Sequence, residues 1–139
     1  MNKEPITIQT LINSPIEKVW EYWINPSHIT QWTFASDDWE APYAENDLKV
    51  GHTFKTTMSA KDGSSSFDFG GTYTSISQNE LIEYDLGDLR HVKVIFETTP
   101  EGVKVTQTFD PEMQNSRELQ QGGWQAILDN FKKYVESST

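Results

Sequence analysis

The 139-residue chain contains no cysteine, which excludes disulfides, thiolate nucleophiles and zinc–thiolate centres and fits a reducing compartment. No window approaches the roughly 18 consecutive apolar residues of a membrane-spanning helix. The opening MNKEPITIQTLI lacks the continuous apolar segment and small-residue cleavage site of a secretory leader. Positive charge is scarce as well. Eleven Lys and Arg against 21 Asp and Glu leave a net charge of −10, a field that repels phosphate backbones and anionic membrane surfaces. Only Lys132 and Lys133 are adjacent, so no basic stripe offsets it. His28, His52 and His91 are scattered outside metal-binding spacings, and the Gly70-Gly71 pair sits inside a strand pattern and not at a phosphate-binding strand-to-helix turn. These absences predict a cytoplasmic protein with no metal, cofactor, nucleic-acid or membrane partner.

What the chain has in quantity is aromatic surface. Five Trp, seven Phe and five Tyr each bury about 150–250 Å² when packed, enough to build a core and to line a cavity as well. The length fits one domain, residues 1–139.

Ile6, Ile8 and Leu11-Ile12 alternate with polar residues as a strand over about 5–12. Ser14-Pro15-Ile16-Glu17 reads as a helix start, with Ser14 as cap and Glu17 completing a capping box. Ile16, Val19, Trp20 and Trp23 then form a stripe that Asn25-Pro26 ends, and Ser27 caps a second short turn. Residues 33–46 are irregular and acidic, and read as a long loop over the sheet. Strands follow, separated by turns at Lys61-Asp62-Gly63, Asn79-Glu80, Gly87-Asp88 and Pro100-Glu101-Gly102. His52, Phe54, Thr56 and Met58 share one strand face, and Phe67, Phe69, Gly71 and Tyr73 share the next, where Gly70-Gly71 suggests a bulge or sharp bend. From about Ser116 to Val135, Trp124, Ile127, Leu128, Phe131 and Val135 recur at helical intervals. The order predicts an α+β fold. Six to seven antiparallel strands curve around a long C-terminal helix, with one or two short helices after the first strand.

The opening strand followed by Ser14-Pro15-Ile16-Glu17-Lys18-Val19-Trp20, then Asp47-Leu48-Lys49-Val50-Gly51-His52-Thr53-Phe54, Gly71-Thr72-Tyr73, and Gly122-Gly123-Trp124 with Leu128, resemble the START-like helix-grip superfamily. The nearest branch is the bacterial homologues of the C-terminal domain of the activator of the ninety-kilodalton heat-shock chaperone's ATPase. The resemblance runs over about 5–137. It implies a pocket between the long helix and the sheet for an apolar small molecule, and it makes a chaperone a candidate partner. The activator proper carries an additional N-terminal domain that this chain has no residues to build. Superfamily members include carriers, sensors, cyclases and chaperone cofactors, so the fold does not fix the function. Monomer and homodimer both stay open.

The candidate ligand-binding residues are Trp23, Trp32, Trp39, His52, Phe54, Phe67, Phe69, Tyr73, Phe96, Gln107, Phe109, Gly123, Trp124 and Leu128. The aromatics either line a pocket or fill a core. Gln107 between Val105 and Phe109, Tyr73 beyond Phe67 and Phe69, and His52 beside Phe54 are polar groups on apolar faces, each able to hold a ligand's polar end or to find a local partner. Gly122-Gly123 should cost the helix about 1 kcal/mol each relative to Ala. The pair either opens volume for a ligand or serves close packing or a kink. No catalytic residue is assigned. An enzyme acting on an apolar substrate, with His52, Tyr73 or Gln107 orienting it, is the alternative to a binding protein, as is a chaperone-cofactor module.

Overall fold

The structure is a computed structural model and describes residues 4–137. Strand β1 (Ile6–Ile12) leads into α1 (Ile16–Ile24) and a single-turn α2 (Pro26–Ile29). There follow β2 (Trp39–Asn46), β3 (Thr53–Ala60), β4 (Ser66–Ser77), β5 (Leu81–Leu86), β6 (His91–Thr99) and β7 (Gly102–Phe109). Helix α3 (Arg117–Ser137) closes the order. All seven strands form one antiparallel sheet in the order β1-β7-β6-β5-β4-β3-β2. It is a curled half-barrel gripping a C-terminal helix, as the alternation of apolar residues predicts.

The inward faces carry the core. Ile82, Tyr84 and Leu86 of β5, Val92, Val94 and Phe96 of β6, and Val103, Val105, Gln107 and Phe109 of β7 are buried, alternating with more exposed neighbours. Leu128, Phe131 and Val135 of α3 close over them. At the C-terminal half of α3 the packing is dense: Phe131 meets Trp23 at 4.9 Å and Trp32 at 4.6 Å between ring centroids, both edge to face.

The helix starts differ from the expected ones. Pro15, extended at φ −69° and ψ 153°, occupies the N-cap of α1 with no side chain capping it, and Ser14 spends its backbone N–H on the Ile12 carbonyl at 2.9 Å. Neither the Ser14 cap nor the Glu17 capping box forms. The cap of α2 is Asn25 in place of Ser27, its Oδ1 accepting from the Ser27 N–H at 3.0 Å and the Ser27 hydroxyl at 2.8 Å. Asn is as good a cap as Ser, and Pro26 already supplies the first helical position.

Residues 39–46, expected within a loop, form the edge strand β2. Its register with β3 shifts between Glu40 and Tyr43, around Pro42, which has no N–H for a ladder. That irregularity hides the alternation. At Gly70-Gly71 there is no bulge: pairing with β3 runs unbroken from Thr53↔Thr72 to Ser59↔Ser66, and the irregularity of β4 lies at Tyr73/Ser75 on the β5 side. The glycines serve close approach. A Cβ at Gly70 would lie 2.4 Å from the Phe54 carbonyl oxygen, and one at Gly71 2.5 Å from that of Asp85, so only glycine lets the neighbouring strands draw in there.

The other edge of the sheet, β1, lies along α3. Gln125 Nε2 donates to the Gln9 carbonyl at 3.2 Å, Lys132 Nζ to that of Leu11, and Arg117 to that of Glu4 at 2.7 Å. Glu136 accepts from the Asn13 N–H at 2.8 Å.

Candidate functional site

Where the aromatic packing of α3 thins towards its N-terminal half, a cavity of about 340 Å³ opens between helix and sheet. Gln120, Trp124, Ile127 and Leu128 of α3 form one wall. Phe54, Thr56 and Met58 of β3 with Phe67, Phe69 and Tyr73 of β4 form the opposite one. Ile82 and Tyr84 of β5 and Gln107 of β7 make the floor, while Trp23, Ile29, Trp32 and Thr33 close the end next to the dense core. The half-exposed Phe67 and exposed Asn115, with Arg90 and Glu112, mark where it meets solvent. The size lies at the small end of ligand pockets, and the mostly apolar wall with few polar groups is their usual composition.

Of the residues expected at a site, Trp23, Trp32, Phe54, Phe67, Phe69, Tyr73, Gln107, Trp124 and Leu128 line this cavity. Trp39 does not reach the wall; it packs edge to face on Phe67 at 5.9 Å. Phe109 lies behind the wall, stacked under Trp124, and Phe96 sits among Trp20 and Trp23 in the solid core. His52 precedes β3 and is exposed, its Nδ1 2.6 Å from the Asp47 carboxylate. Gly123 and Gly122 are not on the wall, and a Cβ at either would meet nothing within 4 Å. Close packing therefore does not explain the pair, and α3 continues through it.

Sequence reasoning missed Tyr84, Thr56 and Gln120, all buried polar residues of the wall. Tyr84 had a signal, sharing the β5 face of Ile82 and Leu86. Gln120 had none, because its work is local to a loop. Its amide donates to the carbonyls of Glu112 and Asn115 at 3.0 and 2.9 Å and accepts from the Glu112 N–H at 2.8 Å, pinning residues 112–116 at the mouth.

The polar groups inside differ in how they are held. Tyr73 donates to Asn46 Oδ1 at 2.5 Å, and Asn46 Nδ2 donates on to the Ile24 carbonyl at 2.7 Å. Burial raises the pKa of the Tyr73 phenol, and it raises that of Tyr84, helped by the proximity of Tyr73 and opposed by the Gln107 amide beside it. Both phenols stay protonated at neutral pH. At the mouth, Arg90 Nε donates to Asp88 at 2.7 Å, and Glu112 Oε1 accepts from the Asn115 N–H at 2.6 Å. Among the described residues no group of three or more His, Cys, Asp or Glu is arranged to hold a metal ion, and among them no helix is long and apolar enough to cross a membrane.

Comparison with known proteins agrees with this architecture. A family model described as "Activator of Hsp90 ATPase homolog 1-like protein" matches residues 13–136. The solution structure of an AHSA1-like protein from Aeromonas hydrophila is 44% identical, with a TM-score of 0.91 over 96% of this chain and 92% of that one. A solution structure of a protein from Cytophaga hutchinsonii is 52% identical, with a TM-score of 0.80 over 99% and 94%. A crystal structure from Nitrosomonas europaea, only 15% identical, shares the fold at a TM-score of 0.83 over 98% and 96%. No curated protein matches the chain. On the family match and these relatives, the chain belongs to the activator of Hsp90 ATPase homolog 1-like family, within the START-like helix-grip superfamily.

Proposed function

We propose that this protein is a noncatalytic binding protein that encloses one small, predominantly apolar molecule between its sheet and α3. The observation that carries the reading is the 340 Å³ cavity walled by Trp, Phe, Tyr, Met and Leu side chains. An interior of this kind left empty would forfeit dispersion contacts on every wall. Catalysis has little to work with there: none of the three His lines the cavity, and its two phenols are held protonated. The absence of cysteine supports a reducing, cytoplasmic setting.

Native mass spectrometry of the protein purified from its own host tests this. The expected spectrum contains a complex with one added small molecule, released on denaturation. Apoprotein alone, together with unchanged thermal stability across a panel of apolar compounds, would count decisively against it.

A second reading, a chaperone contact, follows from the family description and is favoured by Leu89, Met113 and Leu119, which are 81%, 51% and 64% exposed. Each is next to a residue of the cavity wall or its mouth. A change in the ATPase rate of the host's own chaperone of this class on adding the protein is the outcome it requires.

A further inference from the structure

Two polar side chains on the cavity floor find almost nothing in the protein to bind. Gln107 is 7% and Tyr84 5% exposed, and both line the cavity. The Gln107 amide lies beside the Tyr84 hydroxyl. Among the described residues neither side chain makes a hydrogen bond of ordinary length and angle to another group, and no fully enclosed side-chain N or O is left without a partner. The spare hydrogen-bonding capacity of this pair therefore faces the cavity space. A Gln amide offers two donors and one acceptor and a Tyr hydroxyl one donor and one acceptor, so proximity to each other leaves both sides unsatisfied. Tyr73 differs, since its hydroxyl is already committed to Asn46 at 2.5 Å.

The surroundings decide what can satisfy them. The register places Ile82 opposite Val94 and Val94 opposite Gln107 across β5, β6 and β7, and Phe54 meets Tyr84 edge to face at 4.8 Å. No ionised side chain belongs to this floor; Arg90 and Glu112 lie at the mouth. A charged group brought to the floor would lose its hydration with no counter-ion, whereas a neutral hydroxyl or carbonyl would exchange water for protein hydrogen bonds.

We infer that the ligand is a neutral molecule with an apolar, ring-sized body and one hydroxyl or carbonyl oxygen, which the Gln107–Tyr84 pair receives on the cavity floor. This rests on the binding role proposed above and specifies its ligand class. Gln107 and Tyr84 act as the specificity determinants, and the aromatic walls supply contact area without chemical selectivity.

Three probes of equal ring size separate the contributions: naphthalene, 2-naphthol and 2-naphthoate, titrated at neutral pH with intrinsic tryptophan fluorescence and calorimetry. The expected order in the wild-type protein is 2-naphthol tightest, about three- to tenfold over naphthalene for one net hydrogen bond, with the carboxylate weakest. Gln107→Leu, which keeps the volume and removes the amide, should abolish the preference for 2-naphthol while leaving naphthalene bound. Tyr84→Phe checks the other partner should the first variant not fold. Equal affinity of naphthalene and 2-naphthol, or a preference that survives both variants, overturns the inference but leaves the binding role standing. Tightest binding of 2-naphthoate, lost in Arg90→Gln, overturns it by placing the polar end at the mouth. Failure of all three probes to bind overturns both the inference and the binding role.

Discussion

Trp124 of α3 lies flat on Phe109 of β7, ring centroids 3.9 Å apart and planes within 9°, while its edge meets Phe69 of β4 at 5.8 Å. One side chain thus joins the helix to strands from separate parts of the sheet and forms cavity wall between them. Its removal should enlarge the cavity and weaken the grip together. Trp124→Ala is expected to cost about 2–4 kcal/mol, at the lower part of the range for buried aromatics because the ring is only half-buried. Urea unfolding followed by circular dichroism measures it. A loss under half a kilocalorie per mole would mean that the stack is incidental.

Four glycines should divide into two classes on substitution by alanine. At Gly122 and Gly123 a Cβ meets open space, so either change should stabilise α3 by about 0.5–1 kcal/mol. At Gly70 and Gly71 it would strike a backbone oxygen, and the strands would have to separate at a cost of about 1–3 kcal/mol. Melting temperatures of the four single variants rank them.

His91 sets a pH dependence. Its Nδ1 lies 2.7 Å from Asp85 and its Nε2 2.8 Å from Glu83, and only the imidazolium can donate to both. The hydrogen bonds to Asp85 and then Glu83 raise its pKa. A raised folded-state pKa gives a contribution that is complete below the ordinary His value of about 6.5 and is lost as pH rises through the folded value. His91→Gln should therefore destabilise at about pH 5.5 and be neutral near pH 9. The groups are partly exposed, so the difference is expected at about 1 kcal/mol or less and should shrink in high salt. A destabilisation that grew with pH would contradict the assignment.

Asn46 joins three elements by taking the Tyr73 hydroxyl of β4 and giving to the Ile24 carbonyl at the end of α1. Asn46→Ala strands both partners and should cost about 1–3 kcal/mol. Tyr73→Phe removes only one bond and should cost about 1 kcal/mol. The same unfolding assay orders them, and a larger loss in Tyr73→Phe than in Asn46→Ala would contradict Asn46 as the joint, because the Phe variant keeps the ring and the Asn46 bond to Ile24.

Where side chains alternate or recur against one hydrophobic partner, the elements could be read directly. Strands β5 to β7 and the Leu128–Phe131–Val135 stripe of α3 are cases. Reading failed where a local exception carries the geometry. Pro42 breaks the ladder of β2 and made a strand look like a loop. Pro15 displaced the Ser14 cap, because an extended proline at the cap position leaves the serine outside. Half of the site was legible as aromatics on inward faces, but period alone does not separate a wall residue such as Phe69 from a filled-core residue such as Phe96. His52 misled because strand β3 begins one residue after it, so the period-two face that includes Phe54 was extended too far. Gln120 depends on a loop bent back on its own helix, which no pattern encodes, whereas Tyr84 shared the inward β5 face of Ile82 and Leu86 and was overlooked there.

A half-barrel, unlike a closed barrel, keeps two strand edges, and unpaired edges are templates for runaway addition of further chains. Here the Gln9 and Leu11 carbonyls of β1 are occupied by Gln125 and Lys132 from α3, with Arg117 on the Glu4 carbonyl just before the strand, and β2 carries Pro42 between the exposed Glu40 and Glu45. The gripping helix is thus also a stopper. Its polar flank shields one rim from amyloid-like growth while its apolar flank makes the cavity, so mutations on the outward side of α3 should reveal themselves in shelf life and solubility before they touch ligand affinity.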